Sequence, residues 1–229
     1  QPWYSPQGLE VVVGASVGIC LFPTHADNAK LLLQGAHAAV YGAKARGRGA
    51  FCFFAEEMTL AARERLELES RLRQALAQGL LQLHYQPQAD IATGRIIGAE
   101  ALLRWTDAHE GPISPARFIP VAESSGLIAP LGEWVLRQVC QQGQRWLEAG
   151  LPAITLAVNV SPRQFQLTDL VASTRSVLAE TGFPASYLEL EITESALAER
   201  FEEVLKVLEG LQGLGLHLAV DDFGTGYSS

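Results

Sequence analysis

The chain has 229 residues, 48% hydrophobic and 18% charged, the balance of a globular protein rather than a disordered one. Its formal net charge of −8 speaks against binding a nucleic-acid polymer, which depends on basic surface to neutralise phosphates. No run approaches the about eighteen apolar residues of a membrane span, no basic stretch with an apolar core opens the chain, and Cys20, Cys52 and Cys140 form neither a CxxC metal motif nor a disulfide framework.

These features fit a reducing cytoplasm. The chain opens on Gln1 with Met58 as its one methionine and stops at Ser229 in a glycine-rich stretch, so both ends are expected to be cut edges of a longer protein.

A valine-rich run from Leu9 to Cys20 reads as one or more strands, closed by Phe22-Pro23. Ala29, Leu32, Leu33, Ala36, Ala39, Val40 and Ala43 recur at helical spacing between Asp27 and Ala45, Gly47-Arg48-Gly49 breaks that helix, and Phe51 to Phe54 is a further strand. Glu56 to Gln78 is a charged helix with Leu60, Leu68, Leu72 and Leu76 along one side, ended by Gly79. Such helices commonly link domains.

From Leu80 onward strands and helices alternate. Strands are expected at Leu81 to Tyr85, Ile96 to Leu103, Thr155 to Val160, Leu188 to Thr193 and Leu216 to Val220. Helices are expected from Leu131 to Ala149, from Thr168 to Glu180, and around Phe201, Val204, Leu205, Leu208 and Leu211. Repeated βα units imply a parallel sheet. A complete barrel takes roughly 250 residues, so Gly79 to Ser229 is expected to hold about five of eight strands. Its open edge would leave the piece poorly stable or prone to associate.

Five segments end in polar or acidic residues: Glu100-Ala101-Leu102-Leu103-Arg104-Trp105, Val158-Asn159-Val160-Ser161, Glu191-Ile192-Thr193-Glu194-Ser195, Asp221-Asp222 and Phe223-Gly224-Thr225-Gly226-Tyr227. Helical runs separate them, so they would come from the ends of different parallel strands. Hydrolysing a phosphodiester needs a nucleophilic water and neutralised phosphoryl charge, which two cations about 3.5–4 Å apart on hard oxygen ligands can supply. Glu100, Asn159, Glu191, Asp221 and Asp222 offer such ligands, and a cation would relieve the repulsion between the adjacent aspartates.

Singly, each residue has a plainer reading. Glu100 and Glu191 would be surface acids on half-exposed strands and Asn159 a turn or cap. Glu194 would be a helix N-terminal acid, Arg104 an ion-pair partner and Gln86 a strand-end amide. Asp222-Phe223-Gly224 also spells a kinase tripeptide, but the other kinase motifs do not precede it. The five histidines form no HxxH or HExxH set.

In this order and context the segments resemble the EAL family, bacterial phosphodiesterases of the second messenger cyclic di-GMP, from about Leu66 to Ser229. The resemblance implies an α/β fold, a partial TIM-like (β/α) barrel, and a two-metal Mg²⁺ or Mn²⁺ site. In it, Glu100, Asn159, Glu191 and Asp221 hold the first ion, Asp221 bridges to the second, and Asp222 stands beside it. Glu100, Asp221 and Asp222 would thereby carry catalysis. It further implies that Arg104 and Gln86 bind substrate, that Glu194 anchors the glycine-rich loop, and that a homodimer forms through the EAL domain. The family's remaining catalytic groups, a lysine, an acid and a glutamine, would follow Ser229.

Ser16-Val17-Gly18-Ile19 and Tyr41-Gly42-Ala43-Lys44-Ala45-Arg46-Gly47-Arg48 are similar to the closing third of a GGDEF (diguanylate cyclase) domain, with His37 in place of an acid and Gly49 in place of asparagine. The domain reading is therefore 1–55 as a GGDEF-like end, 56–78 as a linker helix and 79–229 as the first part of an EAL domain. Lys44 and Arg48 read as a solvated basic turn. The expected activity of the intact protein is hydrolysis of cyclic di-GMP to linear pGpG, the piece alone being inactive. The alternative is a receptor or scaffold that binds cyclic di-GMP through Arg104 and Gln86 without cleaving it.

Overall fold

A computed structural model describes residues 3–4, 10–11, 14–45, 49–193 and 201–221, with backbone only for 3–4, 10–11, 45, 201–203 and 221. The chain divides into two compact units, Gln1–Leu68 and Glu69–Ser229.

In the first unit β1 (Trp3–Tyr4) pairs antiparallel with β2 (Glu10–Val11), and β3 (Val17–Ile19) pairs parallel with β4 (Phe51–Phe53). Helix α1 (Ala29–Ala45) packs on β3 and β4 through small side chains, with Ala39 and Ala43 fully buried. The Asn28 side chain starts it by accepting the Leu31 N–H at 3.0 Å. The Lys44 ammonium lies 5.8 Å from the centre of the Tyr41 ring, and His37 is exposed. Helix α2 (Glu56–Gln78) has the expected bounds, and Gly79 follows it at φ 68°, a left-handed conformation that stops a helix cheaply only as glycine. The unit boundary falls inside α2.

The second unit is built on one sheet of order β10-β9-β8-β6-β5. Its members are β5 (Leu81–Ala89), β6 (Ile96–Asp107), β8 (Thr155–Val160), β9 (Leu188–Thr193) and β10 (His217–Asp221), with β7 (Gly111–Ile113) pairing on β6. Strands β6, β8, β9 and β10 run parallel, as the βα repetition predicts. The first pair departs from that expectation: β5 is antiparallel to β6, because residues 90–95 are far too few for a crossover and make a hairpin turn instead. In that turn Asp90 accepts from the Thr93 N–H and hydroxyl, both at 2.7 Å.

Helices α3 (Pro115–Ser125), α4 (Ile128–Glu148), α5 (Gln164–Leu167), α6 (Leu170–Thr181) and α7 (Phe201–Gln212) complete the unit. The fold is the α/β arrangement of a partial TIM-like barrel. Its core lies between the sheet and the covering helices. Strand residues Ala101, Leu156, Val158, Leu188, Leu190 and Ile192 meet Val139 and Cys140 of α4, Val177 of α6 and Leu211 of α7. Burial pushes the Cys140 thiol up to about 12 and the Tyr85 phenol up to about 12, so both stay neutral near pH 7. Among the described residues no helix is long and apolar enough to cross a membrane.

The second half of α2 is tied to the β6–β7 hairpin by ion pairs. Arg71 donates to Asp107 and to Glu110, each at 3.0 Å, and Glu110 also accepts from Arg117. Burial pushes the Asp107 carboxyl upward, but the His109 and Glu110 N–H groups and Arg71 outweigh it and hold that carboxyl below the usual range. Arg117 and Arg71 hold Glu110 below its usual range too. Depressed folded values mean that this stabilisation is present above the unfolded carboxylate pKa of about 4 and is lost as pH falls through the folded values. Arg71→Met is expected to lower Tm at neutral pH and to flatten its decline on acidification, so that the two Tm curves converge below about pH 4. Parallel curves would refute the assignment.

Candidate active site

Side chains alternate between the faces of a strand, and partners directly across a ladder share a face. The register therefore decides which candidates meet. Gln86 pairs with Glu100, Glu100 with Ala157, Asn159 with Glu191, and Glu191 with Ala219. Asn159 stands two residues beyond Ala157 and Arg104 four beyond Glu100. Gln86, Glu100, Arg104, Asn159 and Glu191 thus lie on one face, opposite the buried apolar row of Leu156, Val158, Leu188, Leu190 and Ile192. Asp221 takes the next register position along, paired with Thr193. Asn159, Glu191 and Asp221 sit toward the C-terminal ends of β8, β9 and β10.

The closest contact of the set joins two non-adjacent segments of sequence. The Asn159 side-chain amide donates to Glu100 Oε1 at 2.7 Å. That bond uses the nitrogen and leaves the Asn159 amide oxygen as the acceptor. Arg104, half-buried, donates one N–H to the Leu103 carbonyl at 2.9 Å and makes no ion pair among the described residues. Four of its five N–H donors stay available for a planar pair of oxygens.

Glu189 belongs to the same face as well, in register with Ala157 and His217. The strand alternation that predicts a half-exposed Glu191 predicts Glu189 equally, so the signal was in the sequence. Glu100, Glu189 and Glu191 make this face anionic, which favours a cation over a bare phosphate. Among the described residues no three His, Cys, Asp or Glu side chains gather at metal-binding range. Glu194, Asp222, Gly224 and Gly226 lie outside the described residues, as do Arg48 and Gly47.

After β8 the chain turns into α5 through a reciprocal pair that Ser161-Pro162-Arg163-Gln164 encodes. The Ser161 hydroxyl accepts from the Arg163 N–H at 3.2 Å, and Gln164 Oε1 accepts from the Ser161 N–H at 2.9 Å. A serine with glutamine three places on has the spacing of a capping box, but here the hydroxyl takes the Arg163 N–H and the Gln164 N–H goes to the Ser161 carbonyl, so the pair closes the turn before α5 rather than capping the helix.

The comparisons with known proteins cover most of the chain. A model of the EAL domain family matches residues 69–229. The chain is 44% identical to the bifunctional diguanylate cyclase/cyclic di-GMP phosphodiesterase MucR of Pseudomonas aeruginosa, over 96% of this chain and 32% of that protein. It is 41% identical to the cyclic di-GMP phosphodiesterase PdeR of Escherichia coli, over 96% of this chain and 33% of that protein. The chain thus spans about a third of the length of the curated relatives it matches. Among solved structures, the PaMucR phosphodiesterase in complex with c-di-GMP superposes with a TM-score of 0.68 at 45% identity, covering 71% of this chain and 66% of that one.

The Glu100–Asn159 bond has a carboxylate acceptor but an exposed donor, so it is expected to contribute about 1 kcal/mol. A double-mutant cycle of Glu100→Ala and Asn159→Ala, read by urea unfolding, is expected to show coupling of that size. Additive effects of the two substitutions would show that they do not interact.

Proposed function

We infer function from one premise, that the chain belongs to the EAL domain family, and we propose that the intact protein hydrolyses cyclic di-GMP to linear pGpG. The observation that carries this reading is the convergence of Glu100, Asn159 and Glu191 from three neighbouring strands onto one polar face, with Glu100 and Asn159 in direct contact. Relatives named as cyclic di-GMP phosphodiesterases and a related structure holding c-di-GMP support the substrate.

The donor set fits Mg²⁺ or Mn²⁺: carboxylate and amide oxygens are hard ligands, and no thiolate shares the face. In this reading Glu100, Asn159, Glu191 and Asp221 would hold one ion and Asp221 with Asp222 the second, and the bound ions would supply a nucleophilic water and neutralised phosphoryl charge. The chain's own groups do the rest. Glu100 and Asn159 brace each other, so two donors are oriented before any ligand arrives. Arg104 presents its planar fork to two phosphate oxygens on the same face, which a lysine could not do in the same way. Gln86, directly across the ladder from Glu100, contacts substrate beside it. Glu194 anchors the glycine-rich loop.

The domain reading belongs to the same proposal. Residues 1–55 are the end of a GGDEF domain, 56–78 a linker helix and 79–229 the start of the EAL barrel, all in the cytoplasm. The bifunctional naming of the 44% identical relative, whose match extends through the first unit, supports it.

Given Mn²⁺, the intact protein is expected to linearise cyclic di-GMP, and Glu100→Ala to slow turnover by at least about 100-fold, beyond the loss typical of residues that only orient a ligand. Chromatography of the products measures both. Binding without cleavage would sink the hydrolase reading in favour of a receptor, and unchanged turnover in Glu100→Ala would remove Glu100 from the site.

A further inference from the structure

The ladder between β6 and β8 ends at Ala101 and Val158. Asn159 is the next residue, so backbone pairing with β6 stops short of fixing it against Glu100. Pairing with β9, where Asn159 is in register with Glu191, holds its backbone from the other edge, and the turn that follows is the remaining constraint on the side of β6. Every polar group of Ser161 is engaged there. Its N–H donates to Gln164 Oε1 at 2.9 Å, its carbonyl accepts from the Gln164 N–H at 2.9 Å, and its hydroxyl accepts from Arg163 N–H while donating to Glu123 Oε1 at 2.7 Å. Glu123 comes from α3, 38 residues earlier. A solvent-facing turn has no need of a carboxylate brought from another helix.

Gln164 is held as firmly from the opposite side. It is only 6% exposed, and a Cβ on Gly132 of α4 would come to 2.0 Å from its Nε2, so any larger residue there would push this amide from its place. Gly132, Gln164 and Asn159 line one small cavity. Helices α3 and α4 thereby grip the exit turn of β8 from two directions.

We propose that Glu123 and Gln164, acting through Ser161, are positioning residues that fix Asn159 against Glu100. The inference rests on the reading of Asn159 as a cation ligand. It adds that the ligand's place is set by a carboxylate and an amide that themselves touch neither cation nor substrate. A charge-assisted O–H···O⁻ bond suits that role, being short and directional.

The test is made in the intact protein, with Mn²⁺ titrated by calorimetry and the Asn159 side-chain amide followed by NMR without metal. Glu123→Ala is expected to weaken Mn²⁺ binding about tenfold, and Glu123→Gln, which still accepts the Ser161 hydroxyl, to restore most of it. In an Asn159→Ala background Glu123→Ala is expected to cost nothing more. Equal losses with and without Asn159 would overturn the proposal, because they would mark a general structural effect. If the unsubstituted protein binds no Mn²⁺, the proposed function fails, and the metal-free spectrum decides this inference separately: a shift of the Asn159 amide toward free-amide values in Glu123→Ala supports it, an unmoved signal overturns it. Should Glu123→Ala fail to fold, Ser161→Ala breaks the same bond and is read in the same ways.

Discussion

The in-register parallel ladder through β6, β8 and β9 is the constraint on which the rest of this structure depends. With a side-chain period of two, a slip of one residue would exchange the faces of a whole strand. Register here sends Leu156, Val158, Leu188, Leu190 and Ile192 into the helices and leaves Glu100, Asn159 and Glu191 together on the other face. A slip of β9 would turn Glu189 and Glu191 into the apolar core, and a slip of β8 would turn Asn159 into it. That cost secures the geometry of the polar face, so the apolar core on one side of the sheet positions the chemistry on the other.

An acidic chain proposed to act on a phosphodiester looks contradictory at the level of net charge. The distribution of groups resolves it. Carboxylates are concentrated on the face where a divalent cation would invert the local potential, and Arg104 on the same face keeps most of its donors uncommitted among the described residues. Elsewhere, cations and acids compensate each other, as in the Arg71–Asp107–Glu110–Arg117 cluster and the Glu133–Arg137–Glu180 set that joins α4 to α6.

Much of the fold was legible in the residue pattern. Val- and Leu-rich stretches with period two marked β8 and β9 to within a residue, and α2 was bounded by its charge pattern and Gly79. The stretch between β6 and α4 was not read. There β7 is only three residues long, and α3 carries Pro120 within it, a residue that argues against a helix unless its start at Ser114-Pro115 and its end at Gly126 are weighed first. The antiparallel β5 was missed for a related reason: a βα rhythm was assumed to begin one strand too early.

By itself the sequence determined which residue types stand in the strands, and with them the class of chemistry proposed, because oxygen-donor side chains after apolar alternating runs carry that information locally. Only the tertiary structure decided that Asn159 touches Glu100 across 59 positions of sequence, and that Glu123 reaches Ser161 across 38. Such contacts follow from strand order, register and helix packing, which depend on the summed burial of the whole unit and leave no periodic trace in any one segment.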